Sequence, residues 1–106
     1  MNIKGSLPLL VLHILSTKPS HGYDIAKQIS STSEGLLDFK GGTLYPTLHT
    51  LEQEGLIDSY TEEESGRLRR YYRLKDAGRQ ALAQETEEWA QFVKAVNSIL
   101  ESGASA

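Results

Sequence analysis

The spacing of apolar residues along this chain predicts four helices and one hairpin. Leu7, Leu9, Leu10, Val11, Leu12, Ile14 and Leu15 make the first helix apolar almost all round, with Ser6 as its start and Pro8 tolerated in its first turn. Such a helix has to be covered on every side. Pro19-Ser20 ends the connector, and Ser20 is the expected cap of a second helix that runs to about Ser30 and buries Ile25, Ala26 and Ile29. Thr32 to Gly42 reads as a loop with a short extended piece at Leu37-Asp38-Phe39.

The third helix lies within Gly41-Gly42-Thr43-Leu44-Tyr45-Pro46-Thr47-Leu48-His49-Thr50-Leu51-Glu52-Gln53-Glu54-Gly55. Thr43 has a capping side chain, Pro46 would fall near the third helical position, where a missing N–H costs nothing, and Gly55 is a left-handed stop. Leu44, Leu48 and Leu51 form a buried stripe, opposite Tyr45, Thr47, His49 and Thr50. That outer face holds donors and acceptors but no carboxylate before Glu52, which suits docking on a polyanion. An ordinary amphipathic helix is the plainer reading.

After Gly55 the period changes. Leu56 to Thr61 and Leu68 to Leu74 are rich in aromatic, Thr and branched residues, and Glu62-Glu63-Glu64-Ser65-Gly66-Arg67 separates them, which predicts a hairpin with a polar tip. Helix, short stop and charged hairpin is the order of a winged helix-turn-helix. A last helix is expected from Asp76 to Glu101, about 38 Å long at 1.5 Å per residue. Leu82, Trp89 and Val96 recur every seven residues along it, with Phe92 and Ile99 interleaved and Val93 and Leu100 widening the stripe. The rest of so short a chain cannot cover that length, so a second copy is expected to pair with it and with the first helix, through Leu10, Ile14, Trp89, Phe92, Val93 and Val96. The fold class is therefore mainly α with a small β-hairpin wing. The expected division is residues 1–75 as the winged helix-turn-helix, 76–101 as the dimerisation helix and 102–106 as a frayed tail.

The formal net charge of −3 argues mildly against nucleic acid. The distribution argues otherwise: residues 67–79 carry Arg67, Arg69, Arg70, Arg73, Lys75 and Arg79 against Asp76 alone, a local +5, while residues 80–106 carry −3. Phosphate neutralisation needs a local cluster more than a net charge. A solvated strand edge is the plainer account of the arginines. The acidic triplet Glu62 to Glu64 would repel phosphates, so it is expected to point off the duplex.

With no cysteine, disulfides, thiol nucleophiles and Cys-ligated zinc are excluded. His13, His21 and His49 are spread over three helices, and no spacing pairs them with carboxylates, so no metal site is expected; His13 reads as a hydrogen-bonded core or interface residue. No nucleophile-elbow or phosphate-loop motif frames a Ser, His or Asp, so the chain is not read as an enzyme and needs no cofactor. No apolar run is long enough to span a bilayer, and no signal peptide opens the chain, so a cytoplasmic location is expected.

His21-Gly22-Tyr23-Asp24-Ile25, Gly42-Thr43-Leu44-Tyr45-Pro46-Thr47-Leu48, Leu51-Glu52-Gln53-Glu54-Gly55-Leu56-Ile57 and Gly66-Arg67-Leu68-Arg69-Arg70-Tyr71-Tyr72-Arg73-Leu74 closely resemble the PadR family of bacterial transcriptional regulators, over roughly residues 5–80. The resemblance implies a homodimeric winged helix-turn-helix that binds palindromic operators on double-stranded DNA, as a repressor released by a small effector. It also implies a nucleoid-associated location when DNA is bound. The short tail is similar to that of the smaller subfamily. Leu68 stands where the family often has Pro, and Lys75 where it usually has Thr, which leaves capping of the last helix to Asp76.

On this reading Thr43, Tyr45, Thr47, His49 and Thr50 enter the major groove, while Tyr23, Lys40, Arg67, Arg69 and Arg70 hold phosphates or reach the minor groove. Tyr45 and Tyr71 have helix-to-wing packing as an alternative. Trp89 is either dimer core or a platform for a planar aromatic or drug-like effector. Multidrug-sensing PadR members are similar in carrying Trp there, in a Glu-x-Trp context. The competing function is a winged-helix dimer that binds proteins or small molecules and has no operator of its own.

Overall fold

The computed structural model describes residues 3–102. After a 3-10 turn at Ile3–Ser6 come α1 (Leu7–Thr17), β1 (Ser20–His21), α2 (Gly22–Thr32), α3 (Gly41–Gln53), β2 (Ile57–Glu64), β3 (Arg67–Leu74) and α4 (Asp76–Ser102). The architecture is mainly helical with a small antiparallel sheet in the order β1-β3-β2. One core fills the space between the helices and the inner face of that sheet: Leu7, Val11, Leu12 and Leu15 of α1, Ile25 and Ile29 of α2, Leu44, Leu48 and Leu51 of α3, with Phe39, Ile57 and Tyr72. Every member of the predicted α3 stripe is buried.

Local chemistry moves several boundaries. His21, not Ser20, caps α2: its Nδ1 accepts from the Asp24 N–H at 3.2 Å, while Ser20 pairs with Tyr72 in the sheet. Residues 33–40 form no strand, and Phe39 is drawn into the core instead. Helix α3 begins at Gly41 with Lys40 as its cap residue, because the Thr43 and Leu44 N–H groups both donate to the Lys40 carbonyl at 2.9 Å. Thr43 is thus inside the helix, and Pro46 lies inside it too, so the bond to the Gly42 carbonyl is missing. The stop at Gly55 is a Schellman motif: the Leu56 N–H donates to Leu51 O at 3.1 Å and the Gly55 N–H to Glu52 O at 3.0 Å.

The strands run further than their composition suggested. Glu62, Glu63 and Glu64 belong to β2, opposite Arg69, Leu68 and Arg67, and only Ser65 and Gly66, both with positive φ, make the turn. The acidic triplet therefore cannot point one way; alternation sends Glu62 and Glu64 to one face and Glu63 to the other. At the wing's base the Lys75 N–H donates to Leu56 O at 3.0 Å, and the Lys75 carbonyl accepts from Arg79 N–H at 3.0 Å. Asp76 is accordingly the first residue of α4, not its cap, in a first turn where a carboxylate is favourable. Gly78 seats the helix: a side chain there would run into the Leu56 carbonyl oxygen and the Leu74 side chain. From that seat α4 extends along α1 and beyond, which gives the molecule its 63 × 29 × 21 Å outline. Ser102 closes α4; residues 103–106 of the expected tail lie outside the described residues.

Candidate nucleic-acid interface

Helix α3 presents two different flanks around its buried stripe. On the α2 side, the Tyr45 ring lies across Gly22, where even a Cβ would meet the phenol oxygen at 2.6 Å. Tyr45 thus packs against α2, and its half-exposed ring helps line a cleft of about 390 Å³ with Tyr23, Lys27, Asp38, Lys40 and Gly41. Tyr23 is 69% exposed and stacks on His21 with ring centres 6.4 Å apart. Lys40 is open to solvent, with Nζ 3.1 Å from Asp38 Oδ2. On the other flank Thr47 and Thr50 line a groove with Glu54 and Glu85. The Thr47 hydroxyl donates back to the Thr43 carbonyl at 3.1 Å, and Thr43 is half-buried. His49 is exposed on the outermost face beside Pro46 and Gln53.

Burial pushes the Glu85 carboxyl above the ordinary glutamate range, and the charges of Glu88 and Glu54 push it further. The groove on the Thr47 side is therefore acidic, whereas the cleft on the Tyr45 side is lined by Lys27, by Lys40 with its partner Asp38, and by the start of a helix. Gly41 and Gly42 carry no side chains, and with the Thr43 and Leu44 N–H groups bonded to the Lys40 carbonyl, the N–H groups of the two glycines are the ones an anion can approach, past the edge of the Tyr45 ring. A Gly-Gly pair offers no side chain to a sequence reading, so nothing in the sequence marks these two positions as an anion contact.

The wing arginines differ in availability. Arg73 is fixed by a 2.7 Å bond from its Nε to Asp58 Oδ1, with its guanidinium carbon 5.0 Å from the Tyr60 ring centre. Tyr60 stacks on Tyr71 at 5.7 Å, and Tyr71 meets the His21 ring edge-on at 5.4 Å. Tyr71 thus belongs to an aromatic row on the outer face of the sheet and meets the cap residue of α2 at its end. Arg69 Nε is 3.5 Å from Glu64 Oε2. Arg70, on the inner face, donates from Nε to Ser59 Oγ at 3.2 Å and has Nη2 3.7 Å from Glu52 Oε2. Burial raises the pKa of the neighbouring Tyr72 hydroxyl, with Glu52 and Tyr45 adding to the rise and Arg70 opposing it. Arg67, at the turn, is exposed and has no ion-pair partner among the described residues.

A second site lies between α1 and α4. Leu9, Leu10, His13, Leu37, Thr86 and Trp89 line an apolar cavity of about 480 Å³, within the range of small-molecule pockets. His13 is exposed on its wall and is not a core residue. Trp89 and Phe92 tilt against each other at 6.1 Å, and both remain well exposed. Ile14 lines an adjoining groove, and Val93 and Val96 are half-buried further along α4. Among the described residues no helix is long and apolar enough to cross a membrane, and no three His, Asp or Glu side chains gather to hold a metal.

Residues 11–84 match the model of the transcriptional regulator PadR-like family. A transcriptional regulator from Clostridium thermocellum superposes with a TM-score of 0.85 at 35% identity, with 91% of each chain covered. The transcriptional regulator Rv3488 of Mycobacterium tuberculosis is 33% identical over 93 residues, 88% of this chain and 84% of that protein. Bacillus subtilis PadR, solved in complex with operator DNA, superposes with a TM-score of 0.70 at 27% identity over 76% of this chain and 46% of that one. This chain, with its helix-turn-helix, arginine-bearing wing and long last helix, belongs to the PadR-like family of transcriptional regulators.

Proposed function

We propose that the protein is a homodimeric repressor that reads a palindromic operator with α3 and the wing and releases it when a planar aromatic or drug-like molecule binds beside Trp89. The observation that carries the DNA half is the lysine-lined cleft where α2 meets the side-chain-free start of α3, on the flank that also presents Tyr23 and Tyr45. Lys40, Tyr23 and Arg67 hold phosphates, and His49 and Tyr45 face the bases. Thr43, Thr47 and Thr50 stand on the more acidic flank and have weaker claims as base contacts.

The dimer reading rests on α4. Trp89, Phe92, Ile99 and Leu100 leave an apolar stripe in water, continuous with the cavity against α1. A second copy supplies the same stripe and covers both. An effector between the two long helices would turn them, and with them the recognition helices, away from the spacing of roughly 34–36 Å that adjacent half-sites require.

Salt-titrated binding to the protein's own promoter region tests the operator reading. A steep log–log slope with sequence preference supports it; no preference and no slope would leave the operator-free module. His49→Ala should cost on the order of 1–3 kcal/mol of discrimination if a base contact is lost. Trp89 is the sole tryptophan, so its emission reports the effector site directly. Operator release by a ligand that leaves that emission unchanged, and persists in Trp89→Ala, places the effector elsewhere.

A further inference from the structure

We propose that Arg70 is a positioning residue that clamps the wing to the recognition helix and is not a phosphate contact. The proposal rests on the DNA-binding reading. Three side chains from three elements converge: Ser59 of β2 donates its hydroxyl proton to Glu52 Oε2 at 2.7 Å, and Arg70 of β3 donates from Nε to the same Ser59 oxygen at 3.2 Å. The Arg70 Nη2 stands 3.7 Å from Glu52 Oε2 and closes the triangle. A serine hydroxyl has a single proton, so the relay has one direction, from Arg70 to Ser59 to Glu52. Strand alternation puts Ser59 and Arg70 on the inner face with buried Tyr72, whereas Arg67 and Arg69 lie on the outer one.

The place of the anchor gives the contact its consequence. Glu52 lies in the last turn of α3, three residues beyond His49, and the following Gly55 and Leu56 lead straight into β2. The start of α3 is held separately, by Tyr45 across Gly22. With both ends held, the helix cannot rotate about its own axis, and the face that carries His49 keeps its aim. The same contact neutralises the first carboxylate on α3. Half-exposed ion pairs stabilise a fold only weakly, so the effect is expected in sequence discrimination more than in melting temperature. A lysine at position 70 would keep the charge but lacks the Nε–H that bonds Ser59.

The test uses the full chain, a duplex selected by the wild type from a randomised pool, and a scrambled duplex of the same composition, across a salt series. Arg70→Lys and Glu52→Gln should each lower the ratio of selected to scrambled binding by roughly threefold to tenfold. Neither should alter the salt slope, whereas Arg67→Ala should weaken both duplexes and flatten it. A normal ratio in Arg70→Lys with a flattened slope in Arg70→Ala, or tighter binding to both duplexes by Glu52→Gln, overturns the proposal. Those results would make Arg70 a phosphate ligand restrained by Glu52. A second readout needs no DNA: amide exchange at Gly55 and Leu56 should quicken in Arg70→Lys and Glu52→Gln but not in Arg67→Ala. Unchanged exchange in both variants also overturns the clamp, while a pool from which the wild type enriches no sequence refutes the operator reading separately.

Discussion

Replacing Phe92 by Asp puts a carboxylate into the middle of the α4 stripe, and the size of its effect follows from exposure. Phe92 is 44% exposed, so of a phenylalanine's roughly 200 Å² about 90 Å² remains for a partner to cover, worth about 2 kcal/mol at 25 cal/mol per Å². A two-fold interface counts each residue twice. Phe92→Ala should therefore cost about 4 kcal/mol of association, or about a thousandfold in the dimer Kd. Phe92→Asp should cost more, because each copy also desolvates an unpaired charge. The ring's aromatic neighbour is Trp89 on the same exposed stripe, so the protomer itself should stay folded, which circular dichroism checks. Sedimentation velocity over a dilution series from micromolar to nanomolar should show wild-type dimer where Phe92→Asp is monomer. A Phe92→Asp protein that sediments as an unchanged dimer at every concentration would refute the assignment of α4 as the interface.

Other substitutions test the body and the wing. Gly78→Ala forces a methyl against the Leu56 carbonyl and the Leu74 side chain, and such overpacking costs about 1–3 kcal/mol, so the melting temperature should fall by at least about 4 °C. An unchanged melting temperature would mean that α4 is seated differently. Arg67→Ala should flatten the log–log salt dependence by about one unit per protomer, whereas Arg69→Ala, already opposed by Glu64, should change it less; equal effects would contradict the pairing. Burial raises the Glu85 carboxyl's pKa on folding, with Glu88 and Glu54 adding to it, so the folded state holds that proton more tightly than the unfolded chain. Its charge then costs stability above the raised pKa and nothing below the unfolded one. Glu85→Gln should raise the melting temperature at neutral pH, and the gain should vanish as pH falls through the ordinary glutamate range.

The helical stripes were legible in the sequence because burial follows a period the chain itself carries. Leu44, Leu48 and Leu51 needed only their spacing to be placed in the core, and α4 could be traced from Asp76 because nothing interrupts its heptads. The wing's two strands were legible from composition, though their turn-side ends ran further than it indicated, to Glu64 and from Arg67. What decided the site lay between elements, and no local period encodes that. Ser20-His21 became a third strand only because Tyr71 and Tyr72 came alongside. The first α-helix looked apolar all round, yet the structure covers one side of it and leaves Leu9, Leu10 and His13 walling a cavity opposite Trp89. A run of arginines announces positive charge, but a sequence cannot say which are spent within the fold. Strand register set Arg73 against Asp58 and Arg70 near the Ser59–Glu52 relay, while a diagonal side-chain contact turned Glu64 to Arg69 and left Arg67, its directly opposed residue, without an ion pair among the described residues. Composition determined how much charge the wing carries; the pairing of two strands and their docking on α3 determined how much of it is available to a phosphate.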